Sequence, residues 1–419
     1  MKVAISKLNF CKTNYSIYAL LLCIGFAAIC KDTAAQKNTK PVPPLSFSQG
    51  KLNYSFDSLD NRVPDFSYCG YMASESAIPD IPVKIVVPIV PGDATLRIQA
   101  ALDYVAGLTP DANGYRGTVL LKKGRYEVSG QLRINTSGVI LRGSGMNENG
   151  TVLIGTGTGR LALIKIIGKN DKVIDSIGLK ITDSYVPVNA TRFHVEGTIR
   201  FDKKSRNKII VHRPSTREWI TALGMDIFGG GISSLGWKAG DRDLFFDRTI
   251  IKTEGNEITI DAPLTTALDA NFGGAVMYYY YWPGRINFAG VENLRCISAY
   301  DSSNQKDEDH RWNAINIENA EDAWVRQVSF ENFAGSAVNI LETAKRITVE
   351  DCKSLHPVSE IGGQRRYTFF TTGQQTLFQR CNAEDGYHDF ATGYCAPGPN
   401  AFVQCESVLP YSFSGAIDS

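Results

Sequence analysis

The chain has 419 residues, 43% of them hydrophobic and 21% charged, with a formal net charge of +1. That is globular composition with ample length for a large core. The near-neutral balance excludes a chain-wide basic field for nucleic acid, and no segment beyond the N-terminal one has an apolar run fit to span a bilayer.

Residues 1–35 read as a secretory signal peptide. Lys2, Lys7 and Lys12 precede an apolar core at Ala19–Ile29, and Thr33-Ala34-Ala35 offers small residues for cleavage before Gln36. A lipoprotein reading through Cys23 or Cys30 is weakened by the large Leu22 and Ile29 before them. The apolar run is short for a transmembrane helix. Cleavage removes four lysines and Asp32, leaving 40 basic and 42 acidic residues and a net charge of −2. An anionic substrate must then be held by local Arg and Lys.

Residues 36–65 are polar and Pro-containing (KPVPPLSFSQ), which predicts a linker or loosely attached arm. Residues 66–92 form an ordered lead-in. From Asp93 the chain reads DATLRIQAALDYVAG, GTVLLKKGRYEVSGQLRI, TSGVILRGSG and GTVLIGTG. An amphipathic helix is followed by short β-runs closed by glycine, with apolar alternation in Leu132–Ile134 and Val139–Leu141. This order resembles the opening of right-handed parallel β-helix proteins of the pectate-lyase-like superfamily. In those a capping helix with an "IQ-A-A" core precedes "GTV-L--G-Y" and a "V-L-G-G" turn. The resemblance implies an all-β solenoid, capped by a short N-terminal helix, over residues 66–188 and beyond.

From about Asn189 to Ala275 the strands lengthen and the rung rhythm stops. TRFHVEGTIRFD, NKIIVHRP and DLFFDRTIIKTEGNEITIDAPL read as antiparallel, with turns at Glu254-Gly255-Asn256 and Asp202–Ser205. Residues 189–285 are therefore expected to be an inserted β-subdomain, in which His194 and His212 are structural. The run Tyr278–Trp282 (YYYYW) serves packing or, on a sharper reading, sugar stacking.

Rungs are expected again over residues 286–419. Asn293, Asn319, Asn332 and Asn339 fit rung corners, where left-handed backbone is useful. Cys352, Cys381 and Cys405 close the similar segments RITVEDC, TLFQRC and AFVQC, and Val328 precedes Cys352 by the interval that separates Cys381 from Cys405. Such recurrence is that of a solenoid rung and predicts free cysteines stacked inside it. The last residues, PYSFSGAIDS, stop in mid-pattern without a capping helix, so a fragment or a cap supplied from elsewhere is expected.

Three loops gather ionisable groups. In YDSSNQKDEDHRW, Asp307, Glu308 and Asp309 are candidate ligands for a hard cation such as Ca²⁺, His310 is a candidate proton carrier, and Arg311 and Trp312 are candidate substrate contacts. The plain alternative is a solvated loop whose Trp312 packs on the next rung. In GQRRY, Arg365 and Arg366 suit a uronate carboxylate and Tyr367 suits proton transfer. The alternative is a surface ion-pair patch. In EDGYHDFATGY, Tyr387, His388 and Asp389 lie about one coil further on, with a hydrogen-bonded corner histidine as the alternative. His356 stands about one repeat before His388, and Arg326 about one repeat before His356. Groups so spaced are expected to make one ionisable strip.

RGSGMNENG lacks the lysine of a P-loop, no Cys/His quartet has zinc spacing, and GxSxG is absent. The resemblance implies a polysaccharide lyase acting on an acidic, uronate-containing polysaccharide by β-elimination. It carries over fold and reaction class, and no residue by position. Arg365 and Arg366 are then expected to neutralise the carboxylate, with Tyr367, Tyr387 and His388 as base or acid and His310 as alternate. No cofactor is fixed beyond the Ca²⁺ reading. The other readings are a glycoside hydrolase using carboxylates among Asp307, Glu308, Asp309 and Asp389, or a non-catalytic glycan-binding surface protein.

Overall fold

A computed structural model describes residues 43–202, 207–227 and 236–409. The expected signal peptide, Cys23 and Cys30, part of the Asp202–Ser205 turn, and the PYSFSGAIDS run lie outside them. Residues 43–55 belong to a small unit of their own. Within the expected arm, Leu45–Ser48 and Lys51–Tyr54 pair as an antiparallel hairpin. Its turn residues Gln49 and Gly50 both have positive φ, the hand that matches strand twist.

From Phe56 onward the chain is one unit built on a parallel β-helix. The described rungs contribute strands to three sheets, called A, B and C in chain order, and the last of them to A and B. Sheet A stacks Gly117–Leu121, Val139–Arg142, Gly290–Glu292, Ala323–Arg326, Thr348–Glu350, Leu377–Gln379 and Ala401–Val403. Sheet B includes Thr151–Gly155, Lys353–Leu355, Asn382–Glu384 and Glu406–Val408. Sheet C stacks Leu132–Ile134, Ile164–Ile167, Ile315–Glu318, Val338–Ile340, Tyr367–Thr371 and His388–Thr392. All these pairings are parallel.

In-register stacking explains the core. Leu141, Val291, Val325, Val349, Phe378 and Phe402 form one column, and Leu132, Ile164, Ile315, Val338, Phe369 and Phe390 form another. Apolar side chains at alternate positions thus meet their own kind one rung away. The helix Thr95–Ala106 buries Ile98, Ala101, Leu102 and Val105 and closes the first end.

One left-handed residue turns the chain from sheet A to sheet B. Asn293, Gln327, Asp351, Arg380 and Gln404 have φ of 57°, 54°, 55°, 51° and 52°. That conformation costs a non-glycine residue about 1–2 kcal/mol. It is held by rung-to-rung bonds such as Asp351 N to Gln379 O at 3.1 Å and Arg380 N to Val403 O at 2.9 Å. Asn319 and Asn332 are also left-handed, at 52° and 63°. Asn339 is not a corner: it sits mid-strand in sheet C, paired with Asn316 and Phe370. Cys352, Cys381 and Cys405 follow the corner residues directly, all free. Cys352 and Cys381 are buried, while Cys405 in the last described rung is half-buried.

The insertion is larger than expected. It leaves sheet C after Ile167 and returns at Ile286. Its first strands, Val173–Ile174 and Leu179–Lys180, already pair antiparallel with Val276–Tyr281. They are too short to register as a change of rhythm, which is why residue 189 reads as the boundary. Val276–Tyr281 continues to Lys208–Arg213, then Leu244–Glu254, Glu257–Ile260 and Arg192–His194, all antiparallel. Phe193, Ile209, Val211, Phe246, Ile258 and Met277 give this sheet its own core.

A buried charge network fastens the insertion to the corners between sheets C and A. Arg248 is 0% exposed and donates to the carbonyls of Asp247, Ala262, Pro263 and Gly398 and to Gln374 Oε1, at 2.8–3.0 Å. Lys345, also 0% exposed, reaches Asp247 at 3.4 Å and Asp261 at 3.3 Å. Arg285 pairs with Asp247 at 2.7 Å, and Arg346 holds Glu321 and Asp322 at 2.6 Å each. Burial opposes the charge on Asp247, but Arg285 and Lys345 keep its carboxyl well below the usual range. Among the described residues no helix is long and apolar enough to cross a membrane.

Candidate active site

The three ionisable loops all fall at the corner that leads from sheet B into sheet C. Tyr300–Trp312 precedes the strand Ile315–Glu318, Gly363–Arg366 leads into Tyr367–Thr371, and Asp385–Tyr387 leads into His388–Thr392. Because the strands stack in parallel, so do the loops before them.

The first contact joins two loops. Glu308 pairs with Arg365 through Nε and, at 3.1 Å, Nη2, and with Arg160 at 2.8 Å. The hydrogen bonds from Arg365 hold the Glu308 carboxyl below its ordinary value. The Arg160 and Arg365 guanidinium carbons lie 4.5 Å and 5.9 Å from the centre of the Trp312 ring. Trp312 therefore carries a cationic layer.

The second contact joins consecutive rungs. Tyr367 and His388 are direct partners in register, with ring centroids 4.1 Å apart. Tyr387 meets His388 edge to face at 4.5 Å, and Phe370 meets Tyr367 at 5.1 Å. All four are partly exposed. A phenol and an imidazole are thus set side by side, the pair of groups that proton transfer needs.

Other expected site residues are committed to structure. His310 is 1% exposed. Its Nδ1 meets Ser298 Oγ at 2.7 Å, and its Nε2 donates to the carbonyls of Asp307 and Val358 at 3.1 Å. A ring so enclosed cannot reach a polymer, which removes His310 as the alternate acid or base. Arg311 is buried and donates to the carbonyls of Ser129 and Gly130, so it braces a corner and does not face substrate. Arg366 is tied to Ser359 Oγ at 3.1 Å, Ser359 O at 3.0 Å and Asp385 O at 3.2 Å. Burial lowers its pKa. Asp389 accepts from Thr368 and Ser407, and burial raises its pKa. His356 is exposed at the start of the same corner, with Nδ1 4.0 Å from Glu384. Arg326 lies away from the strip, on sheet A, paired with Glu292 at 2.6 Å.

The acidic run does not form a Ca²⁺ site. Asp307 accepts from the backbone N–H groups of Asp301 and Asp309 at 2.9 Å each, so its carboxylate shapes the loop. The bond from Asp301 keeps its pKa low. Glu308 faces two arginines, and Asp309 is exposed. Among the described residues no group of three or more His, Cys, Asp and Glu side chains fits a metal ion.

Sequence reasoning missed Arg160 and Phe370. Arg160 is 148 residues from Glu308, because the insertion separates their rungs, and no local pattern signals the pairing. Phe370 was legible as part of the TFFTTG run, but its outward direction follows only from register. Beyond sheet C, the insertion and the corners leading to sheet A line a half-open cavity of about 380 Å³. Phe245, Trp282, Glu342, Asp241, Lys172 and Tyr394 are among its lining residues.

No family model matches the chain, and no curated protein does. Among solved structures, the tailspike protein gp49 of Pseudomonas phage LKA1 is similar at 14% identity and TM-score 0.44, over 73% of this chain and 44% of that one. A putative glycosyl hydrolase from Parabacteroides merdae is similar at 11% identity and TM-score 0.37, over 76% of this chain and 92% of that one. A polygalacturonase from Erwinia carotovora is similar at 11% identity and TM-score 0.31, over 79% and 64%. The chain spans under half the length of the phage LKA1 tailspike. Parallel sheet order and register make this chain an all-β parallel β-helix with an N-terminal capping helix.

Proposed function

We propose that the protein is an exported, carbohydrate-active β-helix protein that cleaves a uronate-containing polysaccharide by β-elimination at the corner between sheets B and C. The observation that carries this reading is the Tyr367–His388 contact at 4.1 Å, with Arg365 two residues before Tyr367 on the same rung. Export rests on the N-terminal charge, apolar core and small-residue site.

In the proposed step Arg365 neutralises the uronate carboxylate and so acidifies the proton on the adjacent carbon. It binds Glu308 through Nε and Nη2, and Nη1 is not part of that pair. The His388 imidazole takes the proton, the electron pair becomes a carbon–carbon double bond, and the bond to the leaving oxygen breaks. The Tyr367 hydroxyl gives that oxygen its proton. Imidazole accepts protons near neutral pH, and a phenol keeps its own there. Trp312 with its two arginines offers a flat cationic surface beside the site.

The test follows ultraviolet absorbance of unsaturated uronate while the protein meets a panel of acidic polysaccharides, with and without Ca²⁺. A rise that is lost in Tyr367→Phe or His388→Ala is expected. New reducing ends without absorbance would replace elimination by hydrolysis. Binding without either product would make the strip a glycan-binding surface.

A further inference from the structure

An aromatic row crosses the outer face of sheet C. It runs from Tyr387 and His388 through Tyr367 and Phe370 to Tyr394, whose ring lies 6.5 Å from Phe370 in an edge-to-face contact. Phe370 occupies the outward column of sheet C, in register with Asn339 and, through it, Asn316. One end of the row is the corner with Arg365, and Tyr394 lines the cavity under the insertion.

The two ends differ in charge. The corner presents Arg160 and Arg365 with one carboxylate between them. The cavity presents Asp241 and Glu342 with Lys172 as the lining cation, since Asp243 is taken up by His212 and Ser215 and Asp247 is matched by Arg285 and Lys345. Its volume of about 380 Å³ suits a small ligand. Phe245 and Tyr394 line it yet stay 49% and 70% exposed, as platforms for the apolar face of a sugar do. A second uronate there would meet like charge, whereas hydroxyl or amine groups would find acceptors.

We propose that one polysaccharide chain lies across sheet C along this row, with a uronate at Arg365 and a sugar lacking a carboxylate in the cavity. The substrate class is then a heteropolysaccharide that joins uronate to neutral or amine-bearing sugars. This rests on the proposed function, because it uses the same corner as the uronate end.

The experiment is calorimetric titration of the full protein with three oligosaccharides of equal length: a uronate homopolymer, a uronate–hexosamine copolymer and a uronate–hexose copolymer. At least one copolymer is expected to bind roughly tenfold tighter than the homopolymer. Glu342→Gln combined with Tyr394→Ala should erase that difference; both residues are exposed, so the fold should persist. The two copolymers show whether amine or hydroxyl is preferred. A homopolymer bound as well as both copolymers, or a preference that survives the double variant, would overturn the proposal while leaving uronate cleavage standing. Arg365→Ala should weaken all three. If it weakens none while the cavity variant still acts, the uronate corner and the single-chain path both fall.

Discussion

Tyr367 and His388 stand at equivalent positions on consecutive rungs, with their rings 4.1 Å apart and Tyr387 packed against the second of them. Solenoid register places them so: each opens a strand of sheet C at the same corner, where the backbone is already fixed by parallel pairing. A phenol and an imidazole held this rigidly need little reorganisation to act on one bound sugar.

Removing either group is therefore expected to lower the rate of polysaccharide cleavage by about 10²–10⁴-fold. Tyr367→Phe keeps the ring contacts with Phe370 and His388, so circular dichroism should show the native fold. A Tyr367→Phe protein with full activity would remove Tyr367 from the chemistry.

Arg365 is paired through two of its nitrogens with Glu308 and lies over Trp312. Arg365→Lys keeps the charge but loses the planar fork. The expected outcome is a kcat/KM for acidic substrate lowered roughly tenfold with kcat falling as well, since the fork that holds the carboxylate also acidifies the neighbouring proton. A raised KM at unchanged kcat would confine Arg365 to binding and remove it from the chemical step.

Lys345 is fully buried between Asp247 and Asp261. Lys345→Met leaves Asp261 without this cation and Asp247 with Arg285 alone. Breaking a buried pair costs about 3–5 kcal/mol, so a loss near the lower figure is expected in denaturant unfolding. An unchanged midpoint would show that water reaches the network.

Asp93 joins the capping helix to the first rung. Burial acts against its charge, but the hydrogen bonds from Ser129 and Thr95 bring its pKa down to about 2 from an ordinary 3.8. The folded value is the depressed one, so the carboxylate stabilises the fold above the unfolded pKa. That contribution is lost as pH falls from about 4 towards 2. Asp93→Asn should flatten the stability–pH curve in that window and nowhere above it, which acid titration followed by circular dichroism would read.

Much of the architecture was legible in the chain itself. Apolar alternation, glycine-closed runs and the opening helix are local signals, because a strand or helix with one buried face must repeat with the period of its backbone. The recurrence of Cys352, Cys381 and Cys405 disclosed the rung length, since stacked coils put equivalent residues in one column. The same arithmetic led from Arg326 to His356 and His388, and it put Arg326 on the strip, whereas that residue lies on sheet A beside Glu292. What local pattern did not carry was the direction of individual side chains. His310 and Arg311 read as functional beside Trp312, yet the corner turns both inward, where His310 Nε2 and Arg311 Nη2 donate to backbone carbonyls. The insertion hid more. Glu321-Asp322 and Lys345-Arg346 occupy matching places on adjacent rungs and stack as acid over base, but their partners Asp247 and Arg285 come from the inserted segment. Arg160 likewise meets Glu308 only because that segment loops out between their rungs. Sequence period set the solenoid because it is a nearest-neighbour property. The charged junction, the cavity and the aromatic row were decided by tertiary structure, because they join residues whose separation along the chain no periodicity records.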